Sequence, residues 1–378
     1  MTIALIGSAH PLRGGLAAFN EHLAAQLQAQ GHSVTIFSFS LQYPGFLFPG
    51  TTQYTDEPAP KGLRIRTMLN SINPLSWYAT GRAIAGLKPD LVLIKFWLPF
   101  MGPAFGTVLR TLKKRSPKTR VLCIVDNLIP HESRVGDAAF TRYFIKPVDA
   151  FVTMSRKVLG DVLVAAPGKP AIFTPHPLYD NFGDSLPRPE AARLLGLDPS
   201  KKYLLFFGFI RAYKGLDLLL EALQDSRLRE ADIHCIVAGE FYEDAAKYET
   251  LMSDPRVVGR VHRFTQFIPT GEVAYYFSAA DLVVQPYRTA TQSGITQMAY
   301  HFEKPMVVTN VGGLAEVVLD GEVGYVVEPQ PRAIADGILR FFGEEGATER
   351  MGASIRQEKG KYSWEEFIRV VMDTAGVR

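Results

Sequence analysis

The 378-residue chain has little of what would classify it at a glance. It has only two cysteines, too few for a disulfide framework. Both fall in strand-like apolar runs, Cys123 in 121–125 and Cys235 in 233–238, where small buried thiols are expected, and a reducing cytoplasm fits. No apolar stretch can span a bilayer: the most hydrophobic window, 91–109, is broken by Lys95, Pro99, Gly102, Pro103 and Gly106. The start of the chain has no basic segment and turns after Ile6, so it reads as a first strand and not as a signal peptide. There is no low-complexity tract and no repeat of solenoid period. There is also no G-x-G-x-x-G fingerprint, no Walker phosphate loop and no D-x-D pair. The missing fingerprint argues against a dinucleotide-dependent dehydrogenase. The missing D-x-D leaves no obvious carboxylate pair for a divalent ion, so no metal site is expected.

What is present is a globular chain, 47% hydrophobic and 21% charged, long enough for two cores. Net charge is +3, unevenly shared. Residues 1–180 carry 19 Lys/Arg against 10 Asp/Glu (+9), and residues 181–378 carry 22 against 28 (−6). A basic half invites an anionic substrate or surface. Its densest cluster is Arg110, Lys113, Lys114, Arg115, Lys118 and Arg120, after apolar Phe105, Val108, Leu109 and Leu112. That pattern fits a basic amphipathic helix end resting on anionic lipid, and equally a solvated outer helix.

Strand-like and helix-like segments alternate twice over. The first half predicts strands at 3–6, 33–39, 63–68, 91–94, 121–125, 150–153 and 172–174, with helices at 16–29, 77–87, 105–114 and 155–165. The stretch 41–61 is Pro/Gly/aromatic-rich and irregular. The second half predicts strands at 203–207, 234–238, 257–264, 282–285, 306–309 and 324–327, with helices at 215–223, 243–252, 271–278 and 293–302. The fold class is therefore α/β: two facing Rossmann-like domains, residues 1–182 and 183–360, with a central cleft and a loop-rich linker at 180–198. Residues 361–378 hold a closing helix, 364–375, with no strand after it and free to pack on either domain.

Loops at the ends of strands carry the chemistry. After 203–207, Gly208 breaks the strand, and Arg211 and Lys214 sit on the turn before the next helix. Two cations at the carboxyl edge of a parallel sheet suit a phosphate or diphosphate. Gly14-Gly15 precedes the first helix, and Gln292-Ser293-Gly294 opens another, with Ser293 as N-cap. Asn310-Val311-Gly312-Gly313 is a further strand-to-helix loop, with Glu316 one turn in.

The spacing G-x-I-R-x-x-K-G-L-D-x-L-L-x-A from Gly208, A-A-D-L-V-V-x-P-Y-R from Ala279, and K-P-M-V-V-T-N-V-G-G-L-x-E-V from Lys304 resembles the family 4 glycosyltransferases of the GT-B fold. The resemblance takes in R-G-G at 13–15 and runs over nearly the whole chain. It implies that Arg211 and Lys214 bind a donor diphosphate, with Gly14, Gly15, Gly208, Gln292, Ser293 and Gly294 against the same group. It places a nucleobase near Thr265–Ile268, with Gln266, Phe267 and Ile268 among the donor-binding residues, the donor sugar near Glu240 and Gly312-Gly313, Glu316 as a further donor-binding residue, and the closing helix back on the N-terminal domain. It also implies retention of anomeric configuration. The family's E-x7-E carboxylates are absent: Ala290 and Met298 align there, and a one-residue slip brings Gln297 to the ribose-binding position. In place of the family's His after 121–125 stands Asp126-Asn127, with His131-Glu132 beyond.

The expectation is thus a cytoplasmic, metal-independent, retaining glycosyltransferase. It would take a UDP- or GDP-type nucleotide sugar as substrate, need no cofactor, and act on a saccharide or lipid-linked glycan of the cell envelope. It would lie peripherally at the inner face of the membrane through its basic half and bind no nucleic acid. Arg211 and Lys214 would neutralise the leaving diphosphate, and Asp126, His131 and Glu132 are candidates for acceptor deprotonation. A non-catalytic binding or scaffold protein is the alternative that the lost carboxylates favour. A nucleotide-sugar 2-epimerase is a weaker one, since no carboxylate cluster for acid–base work stands out.

Overall fold

The computed structural model describes residues 1–45, 48, 52–129, 135–179 and 182–377. The chain divides into two compact units, Met1–His176 with Ser363–Arg378, and Pro177–Tyr362.

Unit 1 is built on seven parallel strands: β1 (Thr2–Ile6), β2 (Ser33–Leu41), β3 (Arg64–Asn70), β4 (Leu91–Phe96), β5 (Arg120–Val125), β6 (Ala150–Thr153) and β7 (Ala171–Phe173). They lie in the order β3-β2-β1-β4-β5-β6-β7. Leu5 pairs with Ile36 on one side and Leu93 on the other, so β1 and β4 flank the point where strand order reverses. Ligands of open α/β sheets bind outside the carboxyl ends at such a point. Helices α1 (Gly15–Ala29), α2 (Pro74–Gly86), α3 (Gly102–Arg115), α4 (Asp137–Ile145) and α5 (Arg156–Ala165) cover the sheet. The closing helix, Trp364–Ala375, belongs to this unit and packs on α1, β5 and β6. Ser363 caps it by accepting the Glu366 N–H at 3.2 Å. Its buried stripe of Trp364, Phe367, Ile368 and Val371 meets Phe19, with the Phe19 and Trp364 ring centres 5.3 Å apart.

Unit 2 repeats the plan with six parallel strands: β8 (Lys202–Phe207), β9 (Ile233–Ala238), β10 (Val261–Phe264), β11 (Leu282–Gln285), β12 (Met306–Thr309) and β13 (Gly324–Val327). The order is β10-β9-β8-β11-β12-β13, so strand order reverses between β8 and β11. Its helices are α6 (Arg188–Leu194), α7 (Leu216–Ala222), α8 (Ser226–Glu230), α9 (Ala246–Met252), α10 (Val273–Ala279), α11 (Gly294–His301), α12 (Leu314–Val317), α13 (Pro331–Gly343) and α14 (Ala347–Glu358). Cys123 and Cys235 are both buried free thiols.

The structure adds helices α13 and α14 to those read from the sequence, and it departs from that reading elsewhere. The strand expected over 257–264 starts only at Val261, because the backbone before it is turned: the Val257 and Val258 N–H groups both donate to the Asp254 carbonyl at 2.8 Å, and the Arg260 N–H to the Val257 carbonyl at 3.1 Å, while the Arg260 guanidinium bonds the carbonyls of Leu223 (2.6 Å), Arg256 (2.7 Å) and Ile233 (3.0 Å). The helix Asp137–Ile145 follows a stretch with no strong local signal and was not expected. The basic cluster is partly spent on the fold. Lys113 pairs with Asp149 at 2.6 Å, Arg110 stacks 3.7 Å from the Tyr143 ring centre, and Arg120 donates to the Ala375 carbonyl at 3.0 Å. Lys114, Arg115 and Lys118 remain exposed.

Candidate active site

In unit 2 the loops leaving β8 and β11 stand side by side, at the reversal of strand order. Arg211 is extended and leads into a single 3-10 turn, Ala212–Lys214, before α7. Gly208 has φ +96, and a Cβ there would stand 2.9 Å from the Lys214 Nζ and 3.4 Å from the Ile295 side chain in the first turn of α11. The structure thus brings Gly208, Lys214 and the start of α11 together around a spot that only a glycine leaves open.

Lys214 is the electrostatic centre of this place. Its side chain is 8% exposed, with the ammonium 5.7 Å from the Tyr287 ring centre. Among the described residues no carboxylate lies within ion-pairing distance of it. Burial, with the nearby Arg211 charge adding to it, pulls its pKa down to about 8. Arg211 has no carboxylate partner among the described residues either, and its guanidinium lies 5.3 Å from the Tyr242 ring centre. A buried cation with no counter-charge is costly to keep, and such groups cluster where an ionic ligand arrives.

Ser293 holds the N-cap position of α11 but does not cap it. Its hydroxyl donates instead to the buried Gln285 Oε1 at 2.7 Å, and Thr296 donates to the same oxygen at 3.1 Å. The expected cap is therefore absent, because a strand side chain outbids the helix amides for the hydroxyl. Among the described residues no side chain caps the first-turn N–H groups of α11, which keep their positive field. Gly294 fits because a Cβ there would stand 2.7 Å from the Tyr179 ring.

The remaining candidates of unit 2 occupy the same sheet edge. Glu240 is buried beyond the end of β9, and its carbonyl accepts the Ile210 N–H at 2.8 Å. Gln266 is exposed, Phe267 half-buried and Ile268 buried, just past edge strand β10. Gly312 and Gly313 back directly onto the carbonyls of Ala290 and Thr291, which leaves no room for side chains there. Their glycines serve this close approach of two loops, a role that sequence reasoning did not assign. Glu316 is exposed on α12. Met298 is buried, and Gln297, 2% exposed, keeps a buried Oε1 with no hydrogen-bond partner.

In unit 1 the loop from Ser8 to Gly15 is tightly braced. The Ser8 hydroxyl donates to Gln42, the Ala9 N–H to Ser38, and the His10 N–H to the Glu21 carboxylate at 2.6 Å. Arg13 is held through the Thr52 and Gln53 carbonyls, so the irregular segment after β2 buttresses this loop. Gly14 (φ +99), which has no side chain to cap with, opens α1. Asp126, at the end of β5, pairs at 2.9 Å with Lys95, a fully buried lysine on β4 whose Nζ also lies 3.4 Å from the Phe19 ring centre. Sequence reasoning passed over Lys95; the signal was a lone charge inside an otherwise apolar strand. His131 and Glu132 lie outside the described residues. Among the described residues no cluster of three or more His, Cys, Asp or Glu could hold a metal ion, and no helix is long and apolar enough to cross a membrane.

Residues 187–358 match the family described as "Glycosyl transferases group 1". The chain is 30% identical over 378 residues to a D-inositol 3-phosphate glycosyltransferase of Streptomyces avermitilis, covering 93% of this chain and 80% of that protein. It is 28% identical over 209 residues to the Corynebacterium diphtheriae protein of that name, spanning 54% of this chain and about half (47%) of the relative. Among solved structures it resembles a sucrose-phosphate synthase from Thermosynechococcus elongatus (TM-score 0.77, 17% identity, 98% of this chain and 97% of the other). It also resembles Anabaena HepE in complex with UDP and glucose (TM-score 0.72, 13% identity, 100% and 99%).

Proposed function

The chain belongs to the group 1 glycosyltransferases and has their GT-B fold, and on that footing we propose that it moves a sugar from a nucleoside-diphosphate donor to an acceptor with retention of configuration. The observation that carries this reading is the buried, carboxylate-free Lys214 beside Arg211 and the uncapped start of α11. Cleavage of the bond from anomeric carbon to phosphate leaves an oxocarbenium-like centre and a diphosphate of growing negative charge. Each well-placed cation or amide stabilises that charge by about 3 kcal/mol. These groups supply positive charge without a bridging metal. Gln297 takes the ribose hydroxyl that a carboxylate would otherwise take, because its buried Oε1 is the acceptor left over. The loop Gln266–Ile268 takes the base, and Glu240 with Gly312-Gly313 lies toward the sugar. In unit 1 we assign reactant contacts to the braced Gly14-Gly15 loop, Asp126 and His131. Lys95 sits on one oxygen of Asp126 at 2.9 Å and fixes the place of its carboxylate.

The acceptor we propose is a saccharide or lipid-linked glycan handled in the cytoplasm. Lys114, Arg115 and Lys118 would be the part of the basic cluster that meets anionic lipid. A phosphorylated inositol, from the relatives' name, joins the acceptor panel. The test is calorimetry with UDP, ADP and GDP, followed by slow hydrolysis of the matching nucleotide sugars. Arg211→Ala with Lys214→Ala should abolish binding and turnover, and full activity in that double variant would sink the reading. Tight binding without hydrolysis or transfer would favour a non-catalytic role, which the absent carboxylates at Ala290 and Met298 support.

A further inference from the structure

The turn Ala212–Lys214 is short: Ala212 is exposed, Tyr213 is partly exposed with its ring edge-on to Tyr287, and only Lys214 is buried. It is held from the neighbouring loop. The Arg288 N–H donates to the Tyr213 carbonyl at 2.7 Å, and the Arg288 Nη1 donates to the Ala212 carbonyl at 2.9 Å. The same guanidinium forks onto Asp217 in the first turn of α7, with Nη1 to Oδ1 at 2.7 Å and Nη2 to Oδ2 at 3.1 Å. On the other side the Ala212 N–H donates to Glu243, which also accepts the Tyr248 hydroxyl at 2.6 Å and pairs with Lys247 at 3.3 Å. Gly215, at φ +67, lies so close to the Pro286 carbonyl that no side chain fits, which seals turn and loop together.

Charge is sorted by this arrangement. Asp217 and Glu243 are committed to Arg288 and Lys247, and neither lies within ion-pairing distance of Arg211 or Lys214. Burial alone would raise the Asp217 carboxyl, but the hydrogen bonds and charge of Arg288, with Lys247, outweigh it and hold it below the usual range. An isolated surface ion pair would contribute little. This guanidinium also grips the Ala212 carbonyl while its planar fork holds Asp217, a pairing that a lysine cannot reproduce, and the Arg288 backbone N–H holds the Tyr213 carbonyl beside it.

We propose that Arg288 and Asp217 are positioning residues that lock the Ala212–Lys214 turn so that Arg211 and Lys214 are preset for the donor diphosphate. The proposal rests on the reading of unit 2 as the diphosphate site, and preorganised donors are what make such sites effective.

The test uses the full chain and the variants Arg288→Met, Arg288→Lys and Asp217→Asn. One measurement is the calorimetric Kd for UDP and for inorganic pyrophosphate. The other, made without ligand, is the pH midpoint of Lys214 acylation read by mass spectrometry. Arg288→Met should weaken both ligands at least tenfold, and Arg288→Lys should recover part of the loss. The Lys214 midpoint, near 8 in the parent, should rise by a unit or more as the turn loosens and water reaches the ammonium. A merely structural ion pair would move the unfolding midpoint and leave the Lys214 midpoint alone. Should Arg288→Met fail to fold, the near-isosteric Asp217→Asn carries the same comparison. Parent-like affinity and Lys214 midpoint in these variants overturn the positioning role and leave the diphosphate reading standing. A parent that binds neither UDP, ADP, GDP nor pyrophosphate overturns both.

Discussion

At the scale of single residues, Lys214 sets function against stability. Its pKa falls from 10.5 to about 8 in the folded chain. Between those values the unfolded chain binds more protons than the folded one, so this group's contribution to stability rises with pH across that window. Below about pH 8 the full cost of burying the charge is present, roughly 3 kcal/mol. Lys214→Met should therefore stabilise the protein by up to that amount at pH 7 while abolishing nucleotide binding. Urea unfolding should show the gain shrinking from pH 8 to pH 10.5, and a variant no more stable than its parent at pH 7 contradicts the account. The same residue makes ligand affinity pH-dependent, since diphosphate needs the ammonium form. Sequence alone showed two cations on a turn. It could not show that one is buried without a counter-charge, because burial is a property of the surrounding chain.

At the scale of elements, the site is made of loops that leave the carboxyl ends of β8 and β11, where the strand order reverses. Gly208 lets the chain turn at once after β8. Gly208→Val would force a β-branched side chain into φ +96 and against the Lys214 ammonium. Nucleotide affinity should fall more than tenfold, with about 1–3 kcal/mol lost in unfolding experiments. The strands were legible because apolar runs such as Leu91–Phe96 are buried on both faces of a parallel sheet. The helix starts were legible from Gly14-Gly15 and Ser293-Gly294. What the pattern could not reveal was competition for partners: the Ser293 hydroxyl bonds Gln285 and does not cap α11, and the N–H groups of Val257 and Val258 go to the Asp254 carbonyl in a turn that delays β10. The Arg288–Asp217 fork joins residues 71 positions apart, beyond any local signal.

At the scale of the whole molecule, unit 1 is discontinuous, opened at His176 and completed only by the residues after Tyr362. The closing helix buries Trp364, Phe367, Ile368 and Val371. Trp364→Ala should cost about 3–5 kcal/mol in urea unfolding. A chain cut after Tyr362 should be poorly soluble, and a peptide spanning 363–378 added in trans should restore it. The discontinuity also imposes an order on biosynthesis. When the ribosome has made the seven strands of the first sheet, Phe19 and His22 still lack the rings that cover them. All of unit 2 must be translated first, roughly ten to forty seconds at ordinary elongation rates. For that interval unit 1 stands without the helix whose Trp364 covers Phe19 and His22, so its core closes only after unit 2 has been made.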